Sequence, residues 1–258
     1  MTDLREWQGT VGKAWAETWK KTDRSFTGLT NQFVEMIESL PGRKILDIGC
    51  GAGELSLALA RRRHDARVIG IDVSPDLVLA ARGRALGHPS ATFELGDASR
   101  WGKEGFEPDL LVSRHGVMFF DGPLAAFSHL LDIAAPSARL AFTCFRWPQE
   151  NTWMTGLAAM IPGGAPRPDL TAPGPFSFAD PERINAILSG AGWSGIRIEP
   201  LDFAYIAGAG EDPVADAMEF FRSIGPLAAT LRQVEGEMAE VMTDRLEGWL
   251  RRNLHDGL

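Results

Sequence analysis

The residues best placed to do chemistry in this chain are a glycine turn, three acids and one histidine. "ILDIGCGAGE" (45–54) leads apolar residues into glycines at 49, 51 and 53 and sets Asp47 just inside them. Glycine lets a backbone approach a ligand closely, and a helix opened by such a turn presents free N–H groups. Asp47 adds an anion, which suits a ligand bearing a cationic ammonium. "RVIGID" ends in Asp72, nineteen residues after Gly53, where a carboxylate can accept both hydroxyls of a ribose. "ATFELGDAS" presents Asp97 to an exocyclic amine. His115, in "SRHGVMFF", ordinarily titrates near neutral pH and is the prime candidate for a general base.

The turn discriminates among ligands. A dinucleotide fingerprint reads G-x-G-x-x-G, its third glycine packing the helix against the strand. Here the spacing is G-x-G-x-G, and Glu54 stands where that glycine belongs, so a carboxylate would face the pyrophosphate. No Lys-Ser/Thr pair follows, which excludes a phosphate-binding loop of the Walker type. S-adenosylmethionine (SAM), with an ammonium, a ribose and an adenine, fits the three acids better.

The elements that must hold these residues alternate strictly. "KILDIG", "RVIGID", "ATFELGD", "DLLVSRHG" and "ARLAFTCF" read as buried strands. "GELSLALARRR", "SPDLVLAARGRAL" and "DGPLAAFSHLLDIA" read as the helices between them, the second capped by Ser74 with Pro75 at its first position. Residues 44–145 thus predict an α/β fold with a doubly wound, mostly parallel sheet. A helix is expected over 28–40, a Pro/Gly-rich lid loop over 161–178, and a helix after Asp180. "GIRIEPLDFAYI" reads as a sixth strand, with helices beyond it. The expected division is a helical cap (1–40), a ligand-binding domain (41–206) and a C-terminal helical segment (207–258).

Bulk properties narrow the partners. A net charge of −8 in 258 residues, with no cluster of five Lys/Arg, argues against nucleic acid. Arg61, Arg62 and Arg63 sit at a helix end, where cations suit the macrodipole. Cys50 and Cys144 form no CxxC pair and fit a reducing compartment. With no leader and no apolar run near 18 residues, a cytoplasmic protein without membrane contact is expected. His, Asp and Glu show no ligand spacing, so no metal is expected.

"ILDIGCGAG", "VIGIDVSPDLVLAAR" and "ELGDAS" together resemble the core of class I SAM-dependent methyltransferases. "SRHGVMFFDGPLAAFSHLL" and "REWQGTVGKAWAETWKK" resemble a bacterial small-molecule branch related to ubiquinone/menaquinone-type methyltransferases. The resemblance implies that Asp47, Gly49, Cys50 and Gly51 wrap the methionine part of SAM, and that Asp72 binds its ribose. It implies that Val73, Asp97 and Ala98 meet the adenine, and that Ser113 and Arg114 border the methyl group. It also implies methyl transfer to a small, partly hydrophobic acceptor, oxygen first and then nitrogen or carbon, releasing S-adenosylhomocysteine. N-terminal helices would close over the site, and one of Trp7, Trp15 and Trp19 would touch the acceptor. A homodimer is left open. The competing expectations are a peptide- or protein-modifying methyltransferase and a SAM-binding protein that transfers nothing, with a nicotinamide-dependent oxidoreductase last. The family sheet ordinarily ends in an antiparallel hairpin, and here the sixth strand is followed by helices instead.

Overall fold

The computed structural model describes residues 4–165 and 167–258. At its centre lie β1 (Lys44–Ile48), β2 (Arg67–Asp72), β3 (Ala91–Leu95), β4 (Leu110–Arg114) and β5 (Arg139–Thr143). They pair in the order β3-β2-β1-β4-β5, all parallel. Ile45, Leu46, Val68, Ile69, Leu110 and Leu111 are wholly buried because helices cover both faces, so these strands read as continuous apolar runs.

Three helices precede the sheet: α1 (Leu4–Trp7), α2 (Thr10–Glu17) and α3 (Trp19–Met36). Then α4 (Glu54–Arg62), α5 (Pro75–Arg84) and α6 (Pro123–Asp132) connect the strands. After β5 come α7 (Thr152–Ala158), α8 (Pro181–Gly190), α9 (Pro213–Ser223), α10 (Pro226–Leu231) and α11 (Gly236–Arg252). Ser74 and Asp180 cap α5 and α8 by accepting from Leu77 and Glu182 N–H, as their sequences predict. Phe33, Val34, Leu55, Leu59 and Val78 bury α3, α4 and α5 against one sheet face. Phe127, Leu130, Phe178 and Leu188 cover the other. Leu157, Phe220, Phe221, Met242 and Leu246 form a separate core among α7, α9 and α11. Arg63 donates to the carbonyls of Ile37, Leu40 and Gly42, tying the end of α4 to the chain just after α3.

Residues 195–206, expected as a sixth strand, form none, and the sheet of described residues has five strands. Side chains of α3 take the carbonyls that a strand neighbour would have taken. Gln32 Nε2 donates to Asp202 (3.1 Å), and Arg24 donates to Ile206 (3.4 Å) and Ala207 (2.5 Å). Phe203 and Tyr205 pack on Phe26, so the alternating apolar residues fasten a helix rather than a sheet edge. The helix expected over 28–40 begins at Trp19. Its first turns carry Lys21, Asp23 and Arg24, whose polarity hid a segment that packs through ion pairs. In the 161–178 loop, Pro166 lies outside the described residues, as do residues 1–3 of the expected cap. The second half of that loop is built into the core: Gly174 N–H and Ser177 Oγ donate to Met118 O, and Phe176 and Phe178 are buried.

Candidate functional site

The strand order reverses at β1, because β2 and β3 lie to one side and β4 and β5 to the other. Loops leaving the carboxyl ends of β1 and β4 therefore diverge and open a crevice. Gly49, Gly51 and Gly53 line its floor with φ of 65°, 55° and 87°, the left-handed region that glycine enters without cost. A Cβ on Gly49 would stand 2.8 Å from Gly116 Cα, so the two loops touch where both lack side chains. A Cβ on Gly51 would meet nothing within 4 Å, which leaves open space before the turn. Ser113 Oγ locks this arrangement by donating to Ile48 O (2.7 Å) and accepting from Gly116 N–H (3.1 Å). Ser113 is wholly buried, and its hydroxyl joins the two loops rather than facing the crevice.

Asp47 is buried beneath the turn and accepts from Ser56 Oγ (2.6 Å). Burial pushes its carboxyl up to about 6, against the opposing pull of Ser56 and Arg114. Asp72 accepts from Gly51 N–H (2.8 Å) through one oxygen and from Ser74 N–H (2.9 Å) through the other. Each carboxylate oxygen has a further lone pair, so two hydroxyls can still be received. Burial raises Asp72 as well, partly offset by the Ser74 and Gly51 amides. Cys50 is buried and its thiol is pushed up by burial, with Asp72 and Asp47 adding to the effect. Its N–H donates to Ile71 O, which holds the turn against β2.

A shallow depression of about 210 Å³ continues from the turn, lined by Gln8, Val73, Pro75, Leu95, Gly96 and Asp97. Asp97 also closes its own turn, accepting from the Ser99 amide and hydroxyl and from Arg100 Nε. Burial raises Asp97, but these donors outweigh it and hold the carboxylate below its usual range. Ala98 is buried behind it. The far wall comes from the N-terminal helices. Gly12 of α2 sits so close to Ser74 that a Cβ there would come within 2.2 Å of its hydroxyl oxygen. Sequence reasoning missed Gln8, since a polar residue in the turn between two short helices carries no signal of where it packs.

At the end of β4, Arg114 pairs with Glu54 and donates to Thr30 Oγ1 (2.8 Å). Beside it Arg84 donates to Asp23 (2.5 Å) and to Ala52 O (2.7 Å) and lies 3.9 Å over the Trp19 ring. Burial pushes Glu54 and Asp23 up while the two guanidiniums pull them down. Glu54, which the sequence offers as hostile to a pyrophosphate, is thus neutralised by a partner sixty residues away. Its weight against a dinucleotide is reduced; the missing third glycine still counts. Asp23, Thr30 and Arg84 were not foreseen, because each meets its partner only in the folded chain.

His115 follows directly, with φ of 64°, a left-handed conformation that is uncommon outside glycine. Its ring is half-buried, stacked on Phe145 (4.2 Å) and edge-on to Phe26 (5.3 Å). Burial and then the Arg114 charge push the imidazole down to about 3. Among the described residues no group of three or more His, Cys, Asp or Glu side chains is arranged to hold a metal, and no helix is long and apolar enough to cross a membrane.

Comparison with known proteins adds a domain likeness to this geometry. Residues 45–137 match the model of a methyltransferase domain. Over 115 residues the chain is 32% identical to trans-aconitate 2-methyltransferase of Methylobacterium radiotolerans, covering 43% of each chain. It is 30% identical over 115 residues to phosphoethanolamine N-methyltransferase 3 of Arabidopsis thaliana, covering 44% of this chain and 23% of that one. It is also 30% identical over 121 residues to an aklanonic acid methyltransferase of a Streptomyces species, covering 46% and 55%. The chain thus spans about half, or less, of the length of these curated relatives. Among solved structures, magnesium protoporphyrin IX methyltransferase of Synechocystis has a TM-score of 0.53 at 20% identity, over 73% of this chain and 90% of that one. Phosphoethanolamine N-methyltransferase 2 of Haemonchus contortus has 0.55 at 14%, over 98% and 57%. At these identities both likenesses speak for the fold alone. Residues 45–137, which hold β1 to β4 and the glycine turn, are thus similar to the methyltransferase domain of these relatives, and the five-stranded parallel sheet has the fold of the two solved methyltransferases.

Proposed function

We propose that this protein transfers a methyl group from SAM to a small, partly hydrophobic acceptor, with oxygen as the first choice of acceptor atom. The observation that carries the reading is the left-handed glycine turn at the reversal of strand order, with buried Asp47 and Asp72 on either side of it. SAM supplies a methyl group on a sulfonium whose leaving group needs no activation. Asp47, Gly49, Cys50 and Gly51 would hold its methionine end, the Asp47 carboxylate answering its ammonium. Asp72 would take the ribose, and Val73, Asp97 and Ala98 the adenine, within the depression closed by Gln8. Arg114 would border the methyl group while neutralising Glu54, and Ser113 would fix the β1 and β4 loops at the right separation. Holding two reactants in line is the main requirement of such a displacement. His115 would be a weak base at about 3, so its part is to accept a hydrogen bond from the acceptor and orient it.

Calorimetric titration with SAM, S-adenosylhomocysteine and NADH tests the cofactor. Incubation with SAM and a metabolite extract, read by mass spectrometry, tests the transfer. Binding of the first two with formation of S-adenosylhomocysteine and a methylated product is expected. Tight NADH binding without SAM binding would overturn the reading, and SAM binding without any methylated product would leave a SAM-binding protein that transfers nothing.

A further inference from the structure

The turn proposed to hold the methionine end of SAM is kept in shape by a side chain from another element. Glycine enters left-handed backbone without cost, but it enters other backbone as readily. Gly51 (φ 55°) and Gly53 (φ 87°) therefore permit the observed turn without selecting it. The selection lies in the single peptide unit that joins Ala52 to Gly53. In a trans peptide the carbonyl and the N–H point in opposite directions. Both are engaged here: Gly53 N–H donates to Cys50 O (2.9 Å), and Ala52 O accepts from Arg84 Nη1 (2.7 Å). Turning that peptide over would break both bonds and change φ at Gly53.

Arg84 is the last residue of α5, and its guanidinium is itself held on two further sides. Nη2 donates to Asp23 of α3 (2.5 Å), and Cζ lies 3.9 Å from the centre of the Trp19 ring, also of α3. The Arg84 and Asp23 side chains are only 15% and 17% exposed, so water screens this charge-assisted bond little. A planar fork with one arm paired and one face stacked has lost most of its freedom before it reaches Ala52. A lysine ammonium, a point charge on a flexible stem, could not hold both partners in this way. We infer that Arg84 is a positioning residue for the methyl donor: oriented by Asp23 and Trp19, it fixes the Ala52–Gly53 peptide and with it the shape of the turn that receives SAM. This rests on the methyltransferase reading above and adds that the seating of α3 is felt at the donor site. Arg84 acts through the backbone of the turn rather than on the reacting atoms.

The test sets Arg84 against a second arginine that also holds carbonyls. Arg63 donates to Ile37, Leu40 and Gly42 at the far end of α4, so R63K loosens the fold without reaching the turn. R84M removes both hydrogen bonds of Arg84, and R84K keeps the charge without the fork. Residue-resolved amide exchange of the ligand-free full chain reads the peptide directly. Gly53 should exchange about tenfold faster in R84M, the loss expected of one charge-assisted hydrogen bond, and by a smaller factor in R84K. Val68 N–H, paired to Ser90 O in the sheet, should keep its rate. W19L, which removes only the ring beneath the guanidinium, should also quicken Gly53. Calorimetry should show SAM and S-adenosylhomocysteine bound about tenfold more weakly by R84M, with part of the loss recovered in R84K, because the competent turn is less populated. R63K should lower the melting temperature and leave both Gly53 exchange and SAM affinity unchanged. Unchanged Gly53 exchange in both Arg84 variants would overturn the inference, and so would faster exchange with unchanged SAM affinity. Losses in R63K equal to those in R84K would also overturn it, since Arg84 would then serve stability alone. If the unsubstituted chain binds no SAM, the donor reading fails, while Gly53 exchange, which needs no ligand, still decides whether Arg84 fixes the turn.

Discussion

Asp72 has two duties that mutation can separate. It accepts from Gly51 and Ser74 N–H groups, and it is the acid proposed to receive the ribose. Asp72→Ala should weaken SAM binding at least tenfold, about 1.4 kcal/mol. It should also lower stability by roughly 1–3 kcal/mol, since two buried amides lose their acceptor. Asp72→Asn keeps one carbonyl oxygen and should recover more of the stability than of the affinity. Calorimetry and denaturant melts read the two effects apart, and unchanged SAM affinity in Asp72→Ala would remove the cofactor assignment. His115 gives a pH prediction. Its folded value, about 3, lies below the ordinary imidazole value of about 6.5. The stability it contributes is therefore fully present above pH 6.5 and is lost as pH falls toward 3. Turnover should show no histidine inflection between pH 5 and 8; an inflection near 6.5 that disappears in His115→Asn would restore a role as base. At this scale the positions of the acids were legible because Asp72 and Asp97 close or follow apolar strands and Asp47 stands beside the glycine turn. Glu54 was not, because Arg114 reaches it from sixty positions away.

At the scale of elements, the glycine turn can be tested against the strand loop it touches. Gly49→Ala adds a Cβ in left-handed backbone and drives it into Gly116, and should cost about 1–3 kcal/mol or more in a denaturant melt. Gly51→Ala suffers similar backbone strain but points into open space, so it should destabilise less. Its Cβ would occupy room left for a ligand, and SAM affinity should fall further than stability does. Equal losses of stability for the two would count against close loop contact as the reason for Gly49. The five strands were legible because burial on both faces leaves unbroken apolar runs. Residues 195–206 carried the same kind of pattern, yet Gln32 and Arg24 satisfied their carbonyls before a strand edge could. The start of α3 was illegible for the reverse reason: its polar residues are packed as ion pairs, and a search for apolar periodicity passes over them.

For the whole molecule, α3 is the shared member of two assemblies. One of its faces carries Asp23 and Thr30 to the cofactor side, and another carries Lys21 and Arg24 to Asp216 of α9. Burial would raise Asp216, but Lys21, the Ala209 amide and Arg24 hold it below the ordinary carboxylate value. That contribution to stability is present above the ordinary value near 4 and is lost as pH falls through the lower folded one. Hydrogen exchange should quicken in α9 below about pH 4, and at neutral pH in Asp216→Asn, while β1 and β4 stay protected. Simultaneous loss of protection in sheet and α9 would show that the two do not open separately. None of this network was visible in the sequence, because its members are distant and individually unremarkable. Their distance has a consequence in time. Arg24 waits for carbonyls 182 and 183 residues further on. At roughly 5–20 residues per second of synthesis, the wait is on the order of ten seconds or more. The helix is thus made early and receives this fastening late, and the side of Phe26 that meets Phe203 and Tyr205 is covered only then.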